Sequence, residues 1–215
     1  MRRDVFILGA GGLAREVAMV LEHQNAREHR WRFMGFVSGS GEEKGRDLGS
    51  GLVVGGDDLL LESDVEADLL IGIGHPRIRA ALVPRYLEKG ARFCFPNLIH
   101  PAATLDFRRV ELGSGNVITA GVAMTCDIRI GDFNLFNLNA TVGHDGEIGS
   151  FDVFNPGVNL SGGVRVGDRV LVGTGAQILE NLCVASDAIV GAGAVVRANV
   201  EPGQTVVGVP AKPLA

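Results

Sequence analysis

The second half of the chain repeats a large apolar residue at every sixth position. From Leu112 to Val196, all fifteen positions of this series hold Leu, Ile, Met, Phe or Val. A second position, two residues earlier in each repeat, is mostly small or aliphatic, and its interruptions are Asn116, Asn134 and Asp152. A period of six is typical of hexapeptide repeats, in which each repeat supplies one short strand and one corner. The pattern therefore predicts a parallel β-helix.

Three repeats close one triangular coil of 18 residues, so residues 18 apart are expected to lie one above another, about 4.8 Å apart. About five coils fit between Leu112 and Val196. Glycine recurs at the corners, where the backbone needs freedom. We expect the tail that contains Pro202 and Pro210 to close the C-terminal end of the solenoid.

The first hundred residues follow a different pattern. Short apolar runs predict strands at 5–8, 33–37, 52–54 and 69–73, and helical spacing predicts one helix after the first strand and another over 76–89. A glycine-rich turn joins the first strand to the first helix, which is a geometry that binds phosphate through backbone N–H groups. A plain tight turn is the alternative. The candidate contacts are Gly9, Ala10, Gly11, Gly12 and Leu13.

Two domains are therefore expected. Residues 1–96 form an α/β domain with a small Rossmann-like parallel sheet, and residues 97–215 form an all-β parallel β-helix with a C-terminal tail. The first domain is too short for two mononucleotide-binding halves, which disfavours NAD. The residues after the second predicted strand, Ser38 and Gly39, also lack the acid that a ribose would require.

Composition and charge exclude several classes of function. Glycine accounts for 31 of 215 residues, about twice its usual share, which favours a turn-rich repetitive architecture. The net charge of −5 argues against a nucleic-acid partner. We expect no membrane span and no secretory signal, because no apolar run is long enough. Three cysteines without a CxxC motif argue against a disulfide framework and favour a reduced, cytoplasmic protein.

His144 is the only one of five histidines that lies within the regular array. A reaction in which an amine or hydroxyl acts as the nucleophile needs a base that removes its proton. A neutral imidazole is such a base near neutral pH. His144 is therefore the candidate general base, and a structural corner histidine is the alternative.

The neighbours of His144 in the predicted stack suggest further roles. Asp145 is the candidate that orients the imidazole, with a solvated corner as the alternative, whereas Glu147 stacks between two arginines and is interpreted as part of a structural charge ladder. Gly162 stacks on His144, so its N–H is a candidate oxyanion donor. Cys126 stacks on the other side of His144 and is interpreted as a small buried thiol rather than a nucleophile. Asn137 stacks with Asn155, which suggests an inward-facing amide ladder.

Small residues in two later corners let a ligand lie along the backbone, although such corners are glycine-rich anyway. A lysine in the tail is a candidate partner for a phosphate group of such a ligand. These candidate cofactor-binding residues are Gly173, Thr174, Gly175, Ala176, Gly191, Ala192, Gly193 and Lys212.

Several motifs resemble those of a known family. They are Ile7-Leu8-Gly9-Ala10-Gly11-Gly12, Gly55-Gly56-Asp57-Asp58-Leu59-Leu60, Asn97-Leu98-Ile99-His100-Pro101, Gly143-His144-Asp145 and Gly208-Val209-Pro210-Ala211-Lys212. Together with the hexapeptide array, they resemble the bacterial sugar O-/N-acyltransferases of the sialic acid O-acetyltransferase type. The resemblance covers nearly the whole chain.

The resemblance implies a left-handed coil and a homotrimer of β-helices, with acetyl-CoA in the groove between neighbours. The small-residue corners and Lys212 are then the candidate CoA-binding residues. It places the acceptor, commonly a nucleotide-linked amino sugar, on the N-terminal domain. His144 matches the catalytic histidine of the family, and Asp145 matches an acid that is often Glu. Asn137 is implied to lie close to the reacting groups. No metal is expected.

This chain departs from the pattern of the family at Leu13, at Ser38-Gly39 and at Val153, where relatives carry polar, acidic or histidine residues. We predict an acetyl-CoA-dependent acyltransferase that works by direct attack. A non-catalytic nucleotide-sugar-binding or scaffold trimer, and an acetyltransferase for a small non-nucleotide acceptor, remain as alternatives. A zinc carbonic anhydrase on the same scaffold is disfavoured, because it needs three histidine ligands.

Overall fold

A computed structural model describes residues 2–214 of the chain, which divides into two compact units. The first unit contains the residues up to Gly74 together with Ile78–Pro101. The second contains His75–Arg77 and the residues from Ala102 onward. The first unit is an α/β structure, and the second is built from short parallel strands.

The first unit is built around a five-stranded parallel sheet in the order β3-β2-β1-β4-β5. The order reverses beside β1, and β1 and β4 both end in glycine-containing turns. The elements of the unit are β1 (Arg3–Leu8), α1 (Gly12–Glu28), β2 (Trp31–Val37), β3 (Val53–Gly55), α2 (Asp58–Leu61), β4 (Ala67–Ile71), α3 (Pro76–Leu87), a 3₁₀ turn (Gly90–Arg92), β5 (Phe93–Cys94) and β6 (Leu98–Ile99).

The strand predicted over 69–73 lies instead over Ala67–Ile71. The prediction missed the start of β4 because Asp68 interrupts the apolar run, although Asp68 is buried. Its carboxylate accepts a hydrogen bond from the indole N–H of Trp31 at 2.7 Å and pairs with Arg3 at 3.1 Å. A buried carboxylate is tolerated when such partners compensate for its lost hydration.

The second unit is a parallel β-helix with three faces. The first face contains β7 (Val110–Leu112), β10 (Ile128–Ile130), β13 (Glu147–Ile148), β16 (Arg165–Val166) and β19 (Cys183–Val184). The second face contains β8 (Val117–Ile118), β11 (Leu135–Phe136), β14 (Val153–Phe154), β17 (Leu171–Val172), β20 (Ile189–Val190), β22 (Thr205–Val207) and the antiparallel β23 (Lys212–Pro213). The third face contains β9 (Ala123–Met124), β12 (Thr141–Val142), β15 (Asn159–Leu160), β18 (Gln177–Ile178) and β21 (Val195–Val196).

The register of the faces confirms the predicted coil. Arg129 pairs with Glu147, and Thr141 pairs with Asn159, so residues 18 apart lie on adjacent strands. The sixth-position residues fill the interior, where the rings of Phe136 and Phe154 stack with centroids 4.8 Å apart. The hydrophobic period therefore specifies which side chains point inward.

The polar interruptions of the apolar pattern form a buried ladder. Asn116, Asn134 and Asp152 are fully buried. The side-chain oxygen of Asn116 accepts the N–H of Asn134 at 2.9 Å, and that of Asn134 accepts the N–H of Asp152 at 2.7 Å. Each side chain thus joins one coil to the next with a hydrogen bond that water cannot replace.

The interpretation of Asn137 and Asn155 as an inward-facing amide ladder is wrong. Both residues follow a strand of the second face and lie where the chain turns. The side-chain oxygen of Asn137 accepts the N–H of Leu138 at 2.8 Å, and the amide of Asn155 donates to the carbonyl of Val172 at 3.0 Å. No side-chain bond therefore joins these two asparagines within residues 2–214.

No helix within residues 2–214 is both long enough and apolar enough to cross a membrane. The three cysteines, Cys94, Cys126 and Cys183, are free thiols.

Candidate active site

His144 lies at the corner between the third and first faces of the β-helix, directly before a residue with left-handed backbone geometry. Asp145 has a φ of 58°, and positions 127, 163 and 181 at the same corner also have positive φ. These positions hold only Asp, Gly and Asn, the residue types that tolerate this conformation best. The corner geometry thus accounts for the type of residue that follows His144.

The imidazole of His144 and the carboxylate of Asp145 are in direct contact. Nδ1 of His144 lies 2.7 Å from Oδ2 of Asp145. With Nδ1 as the donor, the lone pair of the neutral ring is on Nε2, the tautomer that a general base needs. Both side chains are about two-thirds exposed, at 66% each. Asp145 thus reaches the ring although it is one methylene shorter than Glu.

Gly162 lies against the ring of His144 from the next coil. A Cβ added to Gly162 would lie 2.5 Å from Cε1 and 2.6 Å from Nε2 of His144, closer than real contacts allow. The next N–H, that of Gly163, donates to the carbonyl of His144 at 2.8 Å, whereas the N–H of Gly162 donates to no group within residues 2–214. A bare backbone N–H beside the imidazole is suited to bind a developing oxyanion.

The stacked carboxylates of Asp127 and Asp145 each have a partner of their own. Asp127 pairs with Arg109 at 3.1 Å, and this hydrogen bond raises the pKa of the Arg109 guanidinium above its ordinary value. Asp145 pairs with His144. Cys126 is half-buried, and its carbonyl accepts the N–H of Asp145 at 3.1 Å. The backbone of Cys126 therefore supports this corner.

The predicted charge ladder lies on the first face. Glu147 accepts a hydrogen bond from Arg129 at 2.6 Å and lies 4.0 Å from Arg165, which confirms the interpretation of Glu147 as part of the ladder. The ladder lines an open groove of about 660 Å³. No group of three or more His, Cys, Asp or Glu side chains in the described part of the chain could hold a metal ion.

The candidate CoA-binding corners and Asn137 lie at a different corner from His144. Residues 173–176 and 191–193 follow strands of the second face, as Asn137 does, whereas His144 follows a strand of the third face. A Cβ on Gly175 or Gly193 would meet nothing within 4 Å, so this corner presents bare backbone. Lys212 is exposed on β23. Within one chain, a whole face separates the two groups of predicted residues.

The glycine-rich turn of the first unit begins α1. Gly11 is the N-cap residue and provides no side-chain cap, and the first turn of the helix contains no acid. The backbone N–H groups at this end are thus available to an anion, which the helix dipole favours. Leu13 faces Gly74, where an added Cβ would lie 3.4 Å from Cδ2 of Leu13. Leu13 thus supplies an apolar contact rather than a polar one.

A hydrogen bond also holds the turn that follows β2. The hydroxyl of Ser38 is buried and accepts the N–H of Gly41 at 3.2 Å.

The sequence analysis missed Arg79 of α3, which is fully buried. A charged residue in a helix predicts an exposed side chain, so only the structure reveals it.

Comparisons with known proteins show which proteins this chain resembles in sequence and overall structure. Residues 4–86 match the family model of the PglD N-terminal domain. The acetyltransferase domain of PglB from Neisseria gonorrhoeae superposes with a TM-score of 0.88 at 32% identity, over 99% of this chain and 100% of that chain. PerB from Caulobacter crescentus, in complex with CoA and GDP-perosamine, superposes with a TM-score of 0.86 at 34% identity, over 99% of this chain and 97% of that chain.

WeeI from Acinetobacter baumannii superposes with a TM-score of 0.84 at 29% identity, over 98% of this chain and 99% of that chain. The sequence comparison with curated proteins gives no significant match. These superpositions cover nearly the whole chain. The coil is left-handed, as the sequence resemblance implied.

Proposed function

Because the chain belongs to the bacterial hexapeptide-repeat sugar acyltransferases, we propose that it transfers an acetyl group from acetyl-CoA to an amine or hydroxyl of a nucleotide-linked sugar. The observation that carries the proposal is the contact of 2.7 Å between Nδ1 of His144 and Asp145, beside the bare backbone of Gly162. A general base, its orienting acid and an oxyanion donor meet at this one corner.

The proposed reaction is a direct transfer. Nε2 of His144 accepts the proton of the acceptor amine or hydroxyl while the acceptor attacks the thioester carbonyl. The N–H of Gly162 donates a hydrogen bond to the oxyanion of the tetrahedral intermediate. When the intermediate collapses, the carbon–sulfur bond breaks and the sulfur leaves with the proton that the imidazolium carried. Asp145 stabilises the imidazolium while the ring carries that proton.

The location of the candidate residues favours a site shared between copies of the chain. His144 lies at one edge of the third face, and Asn137 and the candidate CoA corner lie at the other edge. A second copy packed beside this face brings its own CoA corner to the His144 of the first copy. We therefore propose a homotrimer in which acetyl-CoA lies between neighbouring β-helices, since a closed ring gives every copy the same interface.

The first unit is the proposed acceptor-binding domain. Residues Gly9 to Leu13 lead into α1, a helix of 17 residues whose first turn contains no acid, which suits a diphosphate. The relative PerB was observed with GDP-perosamine as well as CoA, which supports a nucleotide-linked acceptor here. Leu13 and Ser38 take the places of expected polar or acidic residues, so the test of the proposal covers several nucleotides.

The test is CoA release from acetyl-CoA, measured with a thiol reagent across a panel of UDP-, GDP- and dTDP-linked amino sugars. We expect release with at least one of them, and His144→Ala should lower kcat by at least ~10²-fold because it removes the base. His29→Asn is the matched control, since Asn tolerates the left-handed geometry of His29 at the end of α1.

Unchanged turnover in a folded His144→Ala protein would refute the role of the base. Release only with a small free sugar or amino acid would favour the small-acceptor alternative. Absence of both release and CoA binding by calorimetry would favour a non-catalytic scaffold.

Two inactive variants test the shared site. His144→Ala removes the base, and Ala192→Trp fills the exposed candidate CoA corner with a bulky ring. We expect activity to return when the two are co-expressed, because mixed trimers contain some sites with an intact residue from each copy. If each chain held a complete site, co-expression would restore nothing. Light scattering should give three times the chain mass of 22.6 kDa.

A further inference from the structure

Arg79 is a charged residue that the α/β unit buries completely. It lies on α3, and its side chain has an exposed fraction of 0%. One guanidinium nitrogen donates to the carbonyl of Ile73 at 2.9 Å and lies 3.4 Å from the carbonyl of Ile71. These two carbonyls flank Gly72, in the turn that follows β4. Arg79 therefore holds this turn from both sides of one glycine.

Gly72 in turn packs against the beginning of α1. A Cβ added to Gly72 would lie 2.7 Å from Cα and 2.8 Å from Cβ of Ala14, in the first turn of that helix. A Cβ added to Gly9, whose φ is 117°, would lie 2.8 Å from the carbonyl oxygen of Gly72. The N–H of Gly72 donates to the carbonyl of Leu8 at 2.8 Å. The two turns thus approach each other closely through backbone atoms.

We propose that Arg79 is a positioning residue for the acceptor site. The chain of contacts runs from the guanidinium through the carbonyls of residues 71 and 73 to Gly72, and from Gly72 to the first turn of α1. That first turn carries the N–H groups assigned above to the diphosphate of the acceptor. The inference therefore rests on the proposed function, and it concerns the affinity for the acceptor, not the chemistry at His144.

Arginine suits this task better than other cations. The two N–H groups of this one nitrogen lie in the fixed plane of the guanidinium, so they can hold two carbonyls in a defined relative position. Lysine carries its donors on an ammonium group that rotates freely, and methionine has a similar length without any donor. Arg79→Lys and Arg79→Met therefore separate the contribution of the hydrogen bonds from that of the volume.

Arg92 offers a matched control in the same unit. Its half-buried guanidinium also donates to backbone carbonyls, those of Leu60 at 2.9 Å and of Ser63. These carbonyls precede β4, so they lie at the opposite edge of the parallel sheet from the turn that Arg79 holds. Arg92→Met thus removes a similar set of hydrogen bonds away from the proposed acceptor site.

The experiment measures steady-state kinetics of the full-length protein, and binding of GDP, UDP and dTDP by calorimetry. Melting temperatures identify a temperature at which every variant is folded. We expect Arg79→Met to raise the KM for the acceptor and the Kd for the nucleotide at least ~10-fold. We expect kcat and the KM for acetyl-CoA to change less than ~2-fold, because His144 and the β-helix are unaltered. Arg79→Lys should recover part of the lost affinity, and Arg92→Met should leave both constants unchanged.

A lower melting temperature with unchanged acceptor KM in Arg79→Met would overturn the inference, since Arg79 would then act on stability alone. An equal rise in KM for Arg92→Met would overturn it as well. The proposed function survives both results, because wild-type transfer is measured in the same assays. If the wild-type protein neither transfers acetyl groups nor binds a nucleoside diphosphate, the proposed acceptor site fails and the inference fails with it.

Discussion

The ring of His144 lies directly over the backbone of Gly162, which is one coil further along the β-helix. A Cβ on Gly162 would come within 2.6 Å of Nε2 and 2.5 Å of Cε1. The position of the imidazole therefore depends on the absence of a side chain 18 residues away. Glycine is required here for space and not for backbone conformation, since the φ of Gly162 is not positive.

Gly162→Ala should displace the imidazole and lower kcat by about 10- to 100-fold, because a small shift of a catalytic group is costly. In a His144→Ala background the same change should have little further effect, since the ring that it displaces is gone. The measurement is kcat for the four proteins of this cycle, at one temperature below all of their melting temperatures. Independent, multiplicative losses would show that Gly162 acts without His144.

Asp145→Asn should lower kcat by about 10- to 100-fold. Asn keeps the size of the side chain and tolerates the φ of 58°, but it no longer favours the ring tautomer with the proton on Nδ1. Asp127→Asn is the control, because Asp127 has the same φ at the same corner and pairs with Arg109 instead. An equal fall in kcat in both variants would mean that the corner needs negative charge in general.

Asn134→Ala should destabilise the β-helix by roughly 2 kcal/mol, because it leaves the buried N–H of Asp152 and the carbonyl of Gly149 without their partner. Asn199→Ala should have a smaller effect, since Asn199 is exposed and water can replace it in its hydrogen bond with the N–H of Cys183. Denaturant unfolding compares the two variants. If both variants lose a similar free energy of unfolding, the buried ladder contributes no special stability.

The first unit should lose stability as the pH falls below about 6.5. Nδ1 of His23 lies 2.7 Å from Nε2 of His100, and burial lowers the pKa of His100 below its usual 6.5, with a further contribution from the charges of His23 and Arg27. The unfolded chain therefore takes up a proton at a higher pH than the folded chain, which favours unfolding below that pH.

Melting temperatures of the wild-type protein and of His100→Gln, measured from pH 7.5 to 5 at constant salt, test this expectation. The wild-type melting temperature should fall more steeply over the acid part of this range. Parallel curves for the two proteins would show that the histidine pair is not responsible.

Much of the architecture was predictable because it depends on local spacing. In a narrow triangular prism, only one side chain per repeat faces inward, so a period of six specifies the coil and the residues that stack. That arithmetic places Gly162 on His144 and Glu147 between two arginines. Four strands of the α/β unit followed from their apolar runs, with a shifted start where Asp68 interrupts one, whereas β5 was not predicted.

Other features depend on contacts between distant segments, and the pattern of the sequence does not contain them. The interior ladder passes through Asn116, Asn134 and Asp152 because these positions face inward, whereas Asn137 and Asn155 lie where the chain turns. The sequence analysis suggested an amide ladder for Asn137 and Asn155 from their spacing of 18, but that spacing shows only that two residues stack, not that their side chains bond to each other.

The amino-acid sequence by itself determined the repeat, the inward residues and the identity of the one histidine in the array, since burial in a thin solenoid follows from periodicity. Only the tertiary structure decided that Asp145 reaches the imidazole and that Arg79 is buried beneath the turn that follows β4. Those outcomes depend on backbone direction at the corners and on packing between elements, which place groups within hydrogen-bonding distance or keep them apart.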